Sequence, residues 1–168
     1  KNYDGIIQSF KNAGYVEGTD LFIFGYDWRK KLTNLADDLD TYINDKGLTK
    51  VNLVGHSMGG LVARSYAQKH GTGKIGKILT VGSPHLGLID MYGLWEGAKI
   101  WDGTWWQNAL LEVASEVNRN PGETKVASLR RSSPSIIDLF PTFPFLFFEG
   151  SFKNVDTMVQ RNLYLKDL

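Results

Sequence analysis

The segment Gly55-His56-Ser57-Met58-Gly59-Gly60 sets one serine hydroxyl between glycines two positions before and two after it, the pattern G-x-S-x-G. Val51-Asn52-Leu53-Val54 leads into it as a short strand, and residues 57–70 leave it as a helix with Leu61, Val62 and Tyr66 facing inward. A serine on so sharp a strand-to-helix turn sits in strained backbone with its hydroxyl lifted clear of the sheet. The glycines leave room where a Cβ would meet neighbouring backbone. The helix N-terminus that follows favours developing negative charge. The backbone N–H of Met58 is the expected first donor to an oxyanion. The chemistry that suits this arrangement is attack by Ser57 on an ester carbonyl, forming an acyl-enzyme that water or an alcohol then resolves. The competing reading is a tight turn whose serine only caps the helix.

A serine hydroxyl needs a neighbouring base at neutral pH. The chain has three histidines. His56 adjoins Ser57 on the turn, so its ring is expected to point away from the hydroxyl. His70 stands at the far end of the same helix, ~20 Å off at a rise of about 1.5 Å per residue. His85 follows the third strand at the same sheet edge as Ser57; it is either the base or a loop residue that bonds locally and shapes the rim of the site. Asp90, Asp102, Asp138, Asp156 and Asp167 show no spacing that selects one as the acid.

The elements that must position Ser57 alternate in the first half. Ile6, Ile7, Phe10 and Ala13 mark a helix face closed by Gly14. The apolar run Leu21-Phe22-Ile23-Phe24 predicts a buried strand, with Gly25-Tyr26-Asp27-Trp28-Arg29 as the loop at its carboxyl end. Leu32, Leu35, Ala36, Leu39 and Ile43 predict a helix stopped by Gly47, and residues 75–81 a third strand. This β–α–β–α–β order implies an α/β fold with parallel strands and right-handed crossovers. The pattern changes after Pro84. Trp95, Trp101, Trp105 and Trp106, then Phe140, Phe143, Phe145, Phe147 and Phe148, flank one amphipathic helix marked by Leu110, Leu111, Ala114 and Val117. No strand is expected beyond residue 86. Two parts follow: residues 1–85, a partial α/β core, and residues 86–168, a mostly helical, aromatic-rich cap.

Tyr26-Asp27-Trp28-Arg29, the segment around Ser57, and Gly82-Ser83-Pro84-His85-Leu86-Gly87 occur in order and, with Ser133-Pro134-Ser135-Ile136-Ile137-Asp138-Leu139-Phe140-Pro141, resemble the lecithin:cholesterol acyltransferase family of α/β-hydrolases. That family includes phospholipases and phospholipid:acceptor acyltransferases; bacterial triacylglycerol lipases share the serine segment and the Gly-Ser-Pro-His-Leu-Gly stretch. The resemblance spans roughly residues 3–141. It implies a partial α/β-hydrolase fold, acyl chemistry on lipid esters, Ser57 as nucleophile and Met58 N–H as oxyanion donor. From their loop positions at the sheet edge that carries Ser57, Tyr26, Asp27, Trp28 and His85 are candidate pocket residues. Such enzymes order their partners Ser, then Asp or Glu, then His. No histidine follows His85, so the acid and base are expected beyond Leu168, and the second oxyanion donor before the first helix. The chain is therefore expected to be an internal piece of a larger enzyme, inactive alone.

Composition narrows the alternatives. A hydrophobic content of 42% supports a real core. A net charge of +1 gives no reason to expect nucleic acid. Cysteine is absent, no zinc or calcium ligand pattern occurs, and no cofactor is implied. No run is long enough for a membrane-spanning helix. The expected partners are a lipid or other ester substrate, the rest of the same enzyme as a separate segment, and a transient membrane-surface contact through the aromatics. Those aromatics could equally form the cap's own core. Asp27 and Arg29 are read as pairing with each other or capping the next helix, and Arg29-Lys30-Lys31 as a solvated helix start. The rival to an enzyme is a non-catalytic lipid-binding or scaffold remnant.

Overall fold

A computed structural model describes residues 3–98, 118–154 and 157. Among them lie α1 (Asp4–Asn12), α2 (Leu32–Asp45), β1 (Val51–His56), α3 (Met58–His70), β2 (Ile75–Val81), α4 (Ile89–Gly97), α5 (Lys125–Ser132), α6 (Ser135–Asp138), β3 (Phe147–Phe148) and β4 (Ser151–Phe152). The helix expected around Leu110–Val117, and Trp101, Trp105 and Trp106, fall outside the described residues.

The core is built as the apolar spacing requires. Leu32, Leu35, Ala36, Leu39 and Ile43 of α2 are all buried. They meet Leu61, Val62 and Tyr66 of α3 and Ile75 of β2. A buried polar bond ties the two helices: Ser65 Oγ donates to the Leu32 carbonyl at 3.0 Å. α2 ends in a Schellman turn. Gly47 takes φ +66°, its N–H reaching the Asn44 carbonyl and the Leu48 N–H the Ile43 carbonyl. β1 and β2 pair in parallel, with His56 opposite Val81 at their carboxyl ends. β1 thus continues two residues past the expected strand, to His56.

Two expectations are corrected. Residues 21–24 are not a buried strand: Leu21 makes a single bridge to Glu17, and Ile23 is 47% exposed. An apolar run reports that side chains want burial, not that a neighbouring strand is there to pair with. Phe24 still packs onto the core, against Tyr26 and Tyr42. The second correction lies beyond residue 86, where a minimal hairpin forms. Glu149 and Gly150 both take positive φ (50° and 82°), the signature of a type I′ turn, and Phe147 stacks edge-on across from Phe152. Two-residue strands are too short to leave an alternating pattern. α1 forms as predicted, but none of its residues is buried.

A second cluster joins Leu94 of α4, Leu129 of α5, and Ile136 and Phe140 at α6. Tyr92 and Trp95 meet Phe140 edge-on, and the Arg130 guanidinium lies 4.9 Å over the Trp95 ring while Nε donates to the Trp95 carbonyl. Trp95 and Phe140 therefore pack within this second cluster, whereas Phe147 and Phe148 stay exposed.

Leu35 is fully enclosed between α2, α3 and the sheet. Leu35→Ala is expected to lower unfolding free energy by about 2–5 kcal/mol, read from the urea midpoint at unchanged slope.

Candidate active site

Ser57 joins β1 to α3 with φ 53° and ψ −126°, a conformation rare for any residue with a side chain. Its N–H donates to the Val81 carbonyl at 2.9 Å, which pins the turn to the end of β2. The side chain makes no capping hydrogen bond to α3, has no hydrogen-bond partner among the described residues, and is partly exposed. The serine is therefore not acting as a helix cap. Met58 opens α3, so its N–H lies in the first turn, where the helix supplies no carbonyl partner.

The glycines divide unequally. A Cβ on Gly55 would sit 2.5 Å from the Gly60 nitrogen, inside the backbone of the first turn of α3. A Cβ on Gly60 would lie 2.8 Å from Ser83 Cβ and 3.0 Å from Thr80 Cβ. Gly59 was expected to be closely packed, yet a Cβ there would meet only the Tyr26 hydroxyl, at an ordinary 3.5 Å. Close approach is thus enforced at Gly55 and Gly60.

Tyr26 is the loop residue brought to the elbow. It is half-buried, and burial raises its phenol above the usual value, with Tyr3 adding to the effect. Asp27 and Arg29 pair with each other: Nε donates to Oδ1 at 2.8 Å and an Nη to Oδ2 at 2.7 Å. Those bonds hold the exposed Asp27 carboxyl down at about 2. Trp28 is 54% exposed.

None of the three histidines is hydrogen-bonded to Ser57. His56 turns to Tyr3, with 3.3 Å between Nδ1 and the phenol oxygen. His70 lies 2.9 Å from an Asp37 carboxylate oxygen. His85 sits between Arg64 Nη1 at 3.4 Å from Nδ1 and Thr80 Oγ1 at 3.3 Å from Nε2. An arginine only donates, so Nδ1 accepts and Nε2–H faces Thr80. Neither ring nitrogen is left to take a proton from Ser57, and His85 bonds locally. Among the described residues no group of three or more His, Asp or Glu could hold a metal ion, and no helix is long and apolar enough to cross a membrane.

One residue that sequence spacing did not single out anchors the start of α2. Asp138 is 8% exposed, and its Oδ2 accepts the Leu32 N–H at 2.8 Å, capping α2 from the far part of the chain. Burial raises its carboxyl, against the lowering by the Leu32 bond and Lys31. The available signal was a negative one: α2 starts after Lys31, which has no acceptor to offer.

The family model for the alpha/beta hydrolase fold matches residues 18–162. The chain belongs to the alpha/beta hydrolase family. Two curated relatives of this chain come from Arabidopsis thaliana. It is 30% identical to phospholipase A(1) LCAT3 over 95 residues, 51% of this chain and 21% of the relative. It is 38% identical to lecithin-cholesterol acyltransferase-like 4 over 63 residues, 34% of this chain and 12% of the relative. The aligned parts thus span well under a third of either relative's length.

Two predictions follow the geometry. Gly55→Ala is expected to destabilise the protein by about 2 kcal/mol or more, because backbone must move, while Gly59→Ala stays within about 1 kcal/mol; thermal melts of both variants compare them. Asp138 has a raised folded pKa, so the folded state holds its proton more tightly. Its ionisation opposes folding above that pKa, and the opposition vanishes as pH falls below it. Asp138→Asn keeps an oxygen for Leu32 and removes the charge. Its urea midpoint should equal or exceed that of the unsubstituted protein at neutral pH, with the gap closing in acid.

Proposed function

We propose that Ser57 is the nucleophile of a serine-dependent lipid acyl hydrolase or O-acyltransferase, with the Met58 N–H as first oxyanion donor. The observation that carries this reading is the Ser57 backbone: a side-chain-bearing residue held at φ 53° between a strand and a helix, its hydroxyl unused by the helix it precedes. Such strain persists where the surrounding structure over-determines it, and it clusters at reacting positions. The family supplies the class of chemistry, and the names of the two relatives point to lipid esters.

In the proposed reaction Ser57 Oγ bonds to the ester carbonyl carbon as a base removes its proton. The resulting oxyanion lies against the Met58 N–H and the N-terminal end of α3. Collapse breaks the bond to the alkoxy oxygen, which leaves with that proton. Water or a second alcohol then takes the acyl group by the reverse sequence. Because His56, His70 and His85 are each engaged away from Ser57, the proposal includes an imidazole from a segment other than these 168 residues. The same observation favours the second reading, a lipid-binding or scaffold remnant without turnover.

A fluorophosphonate probe on the full-length protein separates the two. The expected result is a single adduct mapped by peptide mass spectrometry to Ser57, lost in Ser57→Ala together with about six orders of magnitude of ester turnover. An active sample labelled at another residue refutes the assignment. A full-length protein that neither labels nor turns over any ester supports the remnant.

A further inference from the structure

Two loops leave the core at the end where Ser57 sits. One, residues 25–31, brings the Tyr26 hydroxyl beside Gly59 and ends at the start of α2. The other, residues 82–88, follows β2 and carries Ser83, whose Cβ packs against Gly60. These loops are far apart in sequence, and both are bonded to the same short segment, residues 133–142. On one side the Ser135 N–H donates to the Arg29 carbonyl at 3.1 Å and the Asp138 carboxylate accepts the Leu32 N–H. On the other the Leu88 N–H donates to the Leu139 carbonyl at 2.8 Å and the Thr142 N–H to the Leu86 carbonyl at 3.0 Å. Gly87 faces the Phe140–Pro141 peptide so closely that a Cβ would lie 2.7 Å from the Pro141 nitrogen.

The apolar side chains repeat this double attachment. Leu139 is a member of the main core with Leu32 and Leu35, whereas Ile136 and Phe140 belong to the cap cluster with Leu94 and Leu129. A segment with a foothold in each cluster and backbone bonds to each loop transmits the placement of one loop to the other.

We propose that residues 133–142 are a brace that holds both loops against the elbow, and that Asp138 is the positioning residue that locks it. Backbone bonds alone would let the segment slide or peel. The Asp138–Leu32 bond is buried and reaches a helix terminus that no local side chain caps, so losing it strands an N–H away from water. The consequence for turnover rests on the Ser57 reading above; the brace itself does not.

Native-state hydrogen exchange on the full-length protein tests the brace directly. The amides of Leu32, Leu88, Ser135 and Thr142 are expected to open as one unit in low denaturant. Asp138→Ala should speed exchange at all four by about tenfold or more, and Asp138→Asn should restore it, since the amide oxygen still accepts from Leu32. In turnover of a medium-chain p-nitrophenyl ester, Asp138→Ala should raise KM by about tenfold with kcat within about twofold. Simple loss of folded protein would instead lower apparent kcat and leave KM alone. Four amides that open independently in the unsubstituted protein overturn the proposal, and that measurement needs no variant to fold. So does wild-type exchange at Leu88 and Thr142 in Asp138→Ala. Fluorophosphonate labelling of the unsubstituted protein is run alongside, so that failure of the Ser57 assignment registers separately from failure of the brace.

Discussion

The approach of α3 to the end of β1 leaves no space for a methyl group, and the rest of the core serves to hold it there. Gly55 lies against the backbone of Gly59 and Gly60, and Gly60 in turn lies against Ser83 and Thr80. The chain between them has to reverse within one residue, and Ser57 absorbs the turn at φ 53°. A backbone outlier of this kind costs about 1–3 kcal/mol. It is offset by elements that fix α3 on three sides: the Ser57 N–H on Val81, the Leu61, Val62 and Tyr66 contacts with α2, and the Ser65 hydroxyl on Leu32.

The polar groups around the site are arranged with the same economy. Asp27 and Arg29 neutralise each other within one loop, which leaves that loop's placement to the Arg29 carbonyl and the start of α2. His70 and Lys69, at the end of α3 remote from Ser57, share Asp37 of α2 and so add an exposed electrostatic tie between the two core helices. Such exposed pairs contribute little individually. Their arrangement accounts for His70 as a structural residue, as the Arg64 and Thr80 contacts do for His85.

The elements most legible in the sequence were those whose period and stop signals agreed. α2 carried helical spacing and a terminal glycine, α3 followed a motif that dictates a helix, and β2 matched residue for residue. The serine turn was legible because its glycines are sterically demanded, although only Gly55 and Gly60 proved to be. Residues 21–24 misled because strand formation depends on a partner that a one-dimensional pattern does not contain. Asp138 was not legible at all. Its role rests on a contact across more than a hundred residues of chain, and a buried carboxylate capping a distant helix has no local spacing to betray it.

That long-range contact also bears on how the cap and core relate. A cap that merely covered a site would touch the core through side chains and could be exchanged for another of similar shape. Here residues 133–142 are joined through main-chain groups of Arg29 and Leu32 on one side and of Leu86 and Leu88 on the other. Main-chain bonds fix position more tightly than they fix side-chain identity. The geometry is therefore exacting at a few positions: a side-chain oxygen at residue 138 for the Leu32 N–H, apolar side chains at Ile136, Leu139 and Phe140 that divide between two clusters, and, in the facing loop, Gly87 against the Phe140–Pro141 peptide.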